Sequence, residues 1–113
     1  MVDTKVLEAV NFFSEQIRKK GIRINNLILF GSSSTGTSTQ GSDIDIAIIS
    51  DDFTGHDIFE RAILTKDAEI DTVKKFKIPL DIITLTQEEF RDQKSPIAGT
   101  IRRGLVLTGT SSA

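Results

Sequence analysis

One hundred and thirteen residues, 38% hydrophobic and 27% charged, are expected to form one ordinary globular domain, with no room for a second catalytic domain. A formal charge of -2 gives no net attraction toward nucleic acid or an anionic membrane, so any anionic ligand has to be held by local chemistry. The lack of cysteine excludes disulfides, thiolate zinc sites and a cysteine nucleophile together.

The opening stretch MVDTKVLEAV places an acid and a helical period where a signal peptide would carry basic and then continuous apolar residues. The longest uninterrupted apolar run is four residues, too short to span a bilayer, and a cytoplasmic location is expected. Val6, Val10, Phe13 and Ile17 recur at helical spacing between Asp3 and Lys20, with Asp3 or Thr4 able to cap the start and Lys19-Lys20-Gly21 suited to the end. Ile22 to Phe30 is apolar and β-branched and runs into Gly31, which predicts a buried strand ending in a tight turn.

Asp43 to Ile49 alternates with period two, so Ile44, Ile46 and Ile48 share one face and Asp43, Asp45 and Ala47 the other. A helix is predicted from Asp57 to Lys75 on Phe59, Ala62, Ile63, Ile70 and Val73, with a polar stretch at Thr65 to Glu69 that can split it. Ile78 to Leu85 reads as a third strand, with Pro79 near its start. Thr86-Gln87-Glu88-Glu89 has the capping-box pattern and Ser95-Pro96 a second helix start, so two short helices follow. Gly104 ends the second, Leu105 to Leu107 adds a short edge strand, and the expected domain is 1–108 with a disordered tail at 109–113. Phe12, Phe13, Phe59 and Phe76 read as core.

The chemistry concentrates in GSSSTGTSTQGSDIDIAI, from Gly31 to Ile48. Alternate residues on a strand lie roughly 6.6 to 6.8 Å apart on one side, so the carboxylates of Asp43 and Asp45 can converge on one small cation. Magnesium suits them, because it accepts one or two carboxylates and shares itself with substrate phosphates. The preceding loop offers glycines for close backbone approach and the hydroxyls of Ser32, Ser33 and Ser34 to an anion. Asp81, in PLDIITL, lies in the next strand with Leu80 and Ile82 facing the opposite way, and sheet neighbours can bring it beside Asp43 and Asp45.

Other readings of these residues fare worse. The loop lacks a P-loop, since Thr37 stands where the phosphate-binding lysine belongs, and an EF-hand starting at Asp43 fails at Ile48 and Thr54. His56 reads as a solvated loop residue. Lys74-Lys75-x-Lys77 reads as a helix end without the stacking aromatics of a nucleic-acid patch, so direct nucleic-acid binding is not expected.

Gly31-Ser32, a gap of ten residues, Asp43-x-Asp45 and the later Asp81 together resemble the nucleotidyltransferases of the DNA polymerase β superfamily, most closely its minimal, single-domain bacterial members. The resemblance covers nearly the whole chain. It implies an α/β (α+β) nucleotidyltransferase fold, a mixed three- to four-stranded sheet with helices packed on one face and the carboxylates open on the other. It implies that Asp43, Asp45 and Asp81 are the catalytic, metal-binding residues for two Mg2+ ions, with Asp81 also assisting deprotonation. Gly31 and Ser32 would hold the β- and γ-phosphates, with Ser33 and Ser42 beside them in the nucleotide site. The implied reaction is transfer of a nucleoside monophosphate, AMP from ATP, to a hydroxyl. The implied partner is a small helical protein of the HEPN type, as toxin to this antitoxin, and because a sheet with one carboxylate-bearing face exposed is a poor monomer surface, a homodimer is the other expectation. The loop departs from the family in one respect: Ser33, Ser34 and Thr35 stand where arginine is common, so cationic contact with the triphosphate falls to Arg61, Lys66, Lys74, Arg102 or Arg103. That departure also allows an alternative, an interaction protein of this fold without strong catalysis.

Overall fold

The computed structural model describes residues 3–31 and 43–109. In chain order the elements are α1 (Thr4–Lys19), β1 (Asn26–Phe30), β2 (Ile44–Ile49), a 3-10 turn (Asp51–Phe53), α2 (Ile58–Phe76), β3 (Leu80–Leu85), α3 (Gln87–Arg91), α4 (Pro96–Arg102) and β4 (Leu105–Gly109). The strands form one mixed sheet in the order β3-β2-β1-β4, with β1 antiparallel to both neighbours and β2 parallel to β3.

α1 begins where the sequence placed it: the Asp3 carboxylate accepts the Lys5 N–H at 2.9 Å, satisfying one orphan amide of the first turn. β1 is shorter than expected. Residues 22–25 precede the strand: the Asp52 carboxylate takes the Arg23 N–H at 2.8 Å, and the Asn25 N–H reaches the Ile49 carbonyl of β2 at 2.8 Å just before β1 begins. The predicted helices after β3 both form, each capped by the expected hydroxyl, Thr86 for α3 and Ser95 for α4. β4 runs past its predicted end to Gly109, and the tail 110–113 lies outside the described residues.

Strand alternation sorts the core into two clusters. Leu27, Leu29, Ile44, Ile46, Ile48 and Leu80 face α1 and α2 in the larger one, with Phe13 and Ile17 of α1 fully buried against them. On the opposite face Ile28, Phe30, Ala47, Ile49 and Leu85 form a smaller cluster closed by Ile101 of α4 and Phe90 of α3. The long helices thus occupy one face, and the short ones cover only the part of the other at the carboxyl ends of β2 and β3. The amino ends on that second face carry Asp45 and Asp81.

α2 is one unbroken helix, and its polar middle is the reason it packs. Thr65, Ala68 and Thr72 are the buried residues, small enough for close approach to α1 and the sheet, and the Thr72 hydroxyl is satisfied by the Ala68 carbonyl at 2.7 Å. Phe59, expected in the core, is instead 77% exposed, and Ile63 is 71% exposed. At 100° per residue both lie well away from the Thr65–Ala68–Thr72 line. The helix ends at Lys77, which takes the left-handed conformation at φ 60° with its N–H on the Val73 carbonyl.

Candidate active site

β2 and β3 run parallel in a register that sets Asp45 directly beside Asp81, on the same face of the sheet. Asp43 stands immediately before β2. Burial pushes the Asp45 carboxyl above its ordinary value, the charge of Asp81 and a hydrogen bond shared with it push further, and Asp43 adds a smaller push in the same direction. Like charges gathered in a partly desolvated place invite a cation.

Gly31 completes the geometry from the other side. It follows β1 with φ 66°, and a Cβ on it would collide with the Asp45 carboxylate. Two constraints therefore select glycine: a left-handed backbone, and a carboxylate lying directly against the main chain. The pairing of Phe30 with Asp45 across β1 and β2 brings this contact about.

Of the residues singled out in the sequence, Gly31, Asp45 and Asp81 thus come together, with Asp43 acting on Asp45 through its charge. Ser32, Ser33 and Ser42 lie outside the described residues. Among the described residues no three acidic, histidine or cysteine side chains are drawn together as a metal-binding group. Two of the candidate phosphate cations are committed elsewhere. Arg61, only 12% exposed, forks onto Glu89 at 2.7 and 3.2 Å and also donates to the His56 and Thr84 carbonyls. Arg102 donates to the carbonyls of Phe90 and Asp92.

Sequence reasoning missed Glu69. On α2, it lines the same groove as Asp81, and burial followed by the charge of Asp81 raises its carboxyl above the ordinary value. Nothing in the primary pattern marks it, since it sat in the polar stretch that looked like a helix break.

The nucleotidyltransferase domain family model matches residues 10–105, which spans α1 to the first residue of β4 and includes every aspartate of the site. The chain belongs to the nucleotidyltransferase domain family. Solved structures of similar shape include a toxin–antitoxin complex with AMP-PNP, at TM-score 0.64 and 22% identity over 90% of this chain and 74% of that one. A mutant of the toxin–antitoxin MntA-HpeT aligns at TM-score 0.65 and 21% identity, again over 90% of this chain and 74% of that one. A protein of Sulfolobus solfataricus, assigned as a nucleotidyltransferase, aligns at TM-score 0.59 and 16% identity over 98% of this chain and 93% of that one. At these identities the likeness is one of fold. No curated protein sequence is significantly similar to the chain.

Proposed function

We propose that this nucleotidyltransferase moves AMP from ATP to a hydroxyl group on another molecule. The observation that carries the proposal is the strand register that pairs Asp45 with Asp81, with the Asp45 carboxylate lying against the main chain of Gly31. The hydroxyl oxygen forms a bond to the α-phosphorus, the bond from that phosphorus to the bridging oxygen breaks, and pyrophosphate leaves with the electron pair. The hydroxyl proton passes to a carboxylate, for which Asp81 is placed.

An all-oxygen donor set of carboxylates in which one acid is already destabilised by its neighbours fits Mg2+. Asp43, Asp45 and Asp81 would hold it, as two ions, and when bound it neutralises phosphate charge and lowers the pKa of the attacking hydroxyl. The chain's own contribution is placement. Strand register fixes the aspartates relative to one another, and Gly31, with Ser32, Ser33 and Ser42 beyond it, would offer main-chain and hydroxyl donors to the triphosphate. AMP-PNP in the similar toxin–antitoxin complex supports an adenine nucleotide. No helix among the described residues is long and apolar enough to cross a membrane, and use of ATP fits a cytoplasmic location.

A second reading has its own support. Arg61 and Arg102 are tied to structural partners rather than turned to a nucleotide, and two of the similar structures are toxin–antitoxin pairs. In that reading the chain is an antitoxin that binds a small helical protein of the HEPN type, or another copy of itself, and catalyses weakly. Titration calorimetry of ATP with Mg2+ against wild type and Asp45→Asn separates the two. Loss of binding in the variant is expected, and equal binding by both proteins would remove the transferase reading.

A further inference from the structure

β3 is an edge strand with β2 on one side only. The Ile44 N–H bonds the Pro79 carbonyl and the Ser50 N–H bonds the Leu85 carbonyl, so odd-numbered residues of this strand face β2. By alternation Leu80, Ile82 and Thr84 turn their main-chain groups to the open edge. The Thr84 carbonyl there is taken by Arg61 at 3.3 Å, and among the described residues no partner meets the outward main-chain groups of Leu80 and Ile82. Along this edge runs a groove of ≈ 450 Å³ lined by all six residues of β3, with Ile58 and Ala62 of α2 as one wall and Ile97 of α4 as the other. Ile58 is 73% exposed and Ile97 43% exposed, so both walls present apolar surface to solvent.

We propose that this groove receives an extended segment of a partner polypeptide, paired main chain to main chain with β3 and carrying apolar side chains on alternate residues. An open strand edge is matched by another strand's N–H and C=O groups, which a helix keeps for itself. Charge selects among extended occupants. Among the described residues the groove lining holds two carboxylates, Glu69 and Asp81, and the guanidinium at its edge, Arg61 on the Thr84 carbonyl, is already neutralised by Glu89. A phosphodiester chain is repelled there, whereas a segment with a lysine or arginine beside its apolar residues is complementary. Asp81 belongs to the groove lining as well as to the candidate site. The inference goes beyond the transferase reading, because docking at the strand edge does not depend on transfer.

The test is titration of the full chain, 15N-labelled, with a synthetic peptide of alternating valine and tyrosine or threonine bearing a lysine at each end. Binding is expected to shift the amide signals of Leu80, Ile82 and Thr84 and to slow their hydrogen exchange. It should weaken at least tenfold in Ile58→Glu and Ile97→Glu, both at exposed positions where the fold is retained, and in Ile82→Pro, which deletes an outward N–H but no bond to β2. Norleucine ends in place of lysine should weaken binding to wild type, and by less to Glu69→Gln, which keeps only Asp81 of the two carboxylates. Unshifted β3 amides, equal binding by the wall variants, preferential binding of oligo(dT) in the groove, or a concentration-dependent dimer that buries β3 against a second copy would each overturn the proposal. Adding ATP with Mg2+ separates it from the transferase reading. Docking without label transfer to the peptide leaves the groove assignment standing, and transfer to another hydroxyl compound without peptide docking removes the groove assignment and leaves the transferase reading standing.

Discussion

At Asp45, burial and two neighbouring carboxylates all oppose ionisation, so near neutral pH the folded state holds this charge at a cost. Asp45→Asn is therefore expected to abolish magnesium-dependent transfer, by at least about 100-fold, while raising stability by on the order of 1 kcal/mol or less at pH 7. The sign follows from a raised carboxyl. Its penalty is present above the elevated folded value and vanishes as pH falls below the ordinary aspartate value of 3.8, so the variant's melting advantage should shrink over that interval. Thermal melts from pH 3 to 8 measure this, and a constant advantage at every pH would contradict it. Gly104 makes a different demand. The chain turning from α4 into β4 passes so close to β1 that a Cβ there would strike the Leu29 carbonyl oxygen and lie 2.9 Å from Ile28 Cγ2. Gly104→Ala should cost about 1 to 3 kcal/mol in urea unfolding, because backbone cannot yield as a flexible side chain can.

At the scale of elements, α2 carries two departures from a simple amphipathic helix, and both are measurable. Its left-handed end at Lys77 is a conformation that L-residues adopt at a cost, so Lys77→Gly should stabilise the domain by about 0.5 to 1 kcal/mol with no effect on nucleotide binding. Its beginning is tied to α3 by the fork of Arg61 onto Glu89. The Arg61 hydrogen bond, with further help from Thr86 and the guanidinium charge, holds the Glu89 carboxyl below its ordinary value of 4.5. A lowered carboxyl contributes stability that is full above that ordinary value and is lost as pH falls through the depressed one. Since Glu89 is 45% exposed, the contribution is screened to no more than about 1 kcal/mol. Compared with Glu89→Gln, which retains the capping box, wild type should lose stability more steeply below pH 4.5 and run parallel above it.

At the scale of the molecule, the second face of the sheet is divided along the strands. Its apolar half is closed by the short helices, and its acidic half lies at the amino ends of β2 and β3. Such a division gathers like charges that oppose one another's ionisation, so the whole fold should respond to their neutralisation. ATP with Mg2+ at 100 times its dissociation constant is expected to stabilise the domain by about 2.7 kcal/mol, a gain that chelation of the metal removes. Scanning calorimetry with and without chelator checks it, and a melting temperature indifferent to both would speak for the interaction-protein reading.

The primary pattern by itself determined the parts whose causes are local. Period-two alternation placed Ile44, Ile46 and Ile48 opposite Asp45, and Asp3, Thr86 and Ser95 marked helix starts that the structure keeps, because a cap is made within three residues of itself. Gly31 and the aspartates were legible for the same reason, as residue types that an ordinary strand or turn has no use for. What only the tertiary structure decided depends on partners far along the chain. The rotation of α2 buried Thr65, Ala68 and Thr72, exposed Phe59 and turned Glu69 toward Asp81, since a helix with more apolar residues than one stripe can hold is oriented by whichever face packs most closely. Arg61 and Arg102 went to carbonyls and a carboxylate that no spacing in the sequence pairs with them. The parallel register that sets Asp45 beside Asp81 came from the crossover between β2 and β3, where burial of one apolar face fixes the slip of each strand against its neighbour.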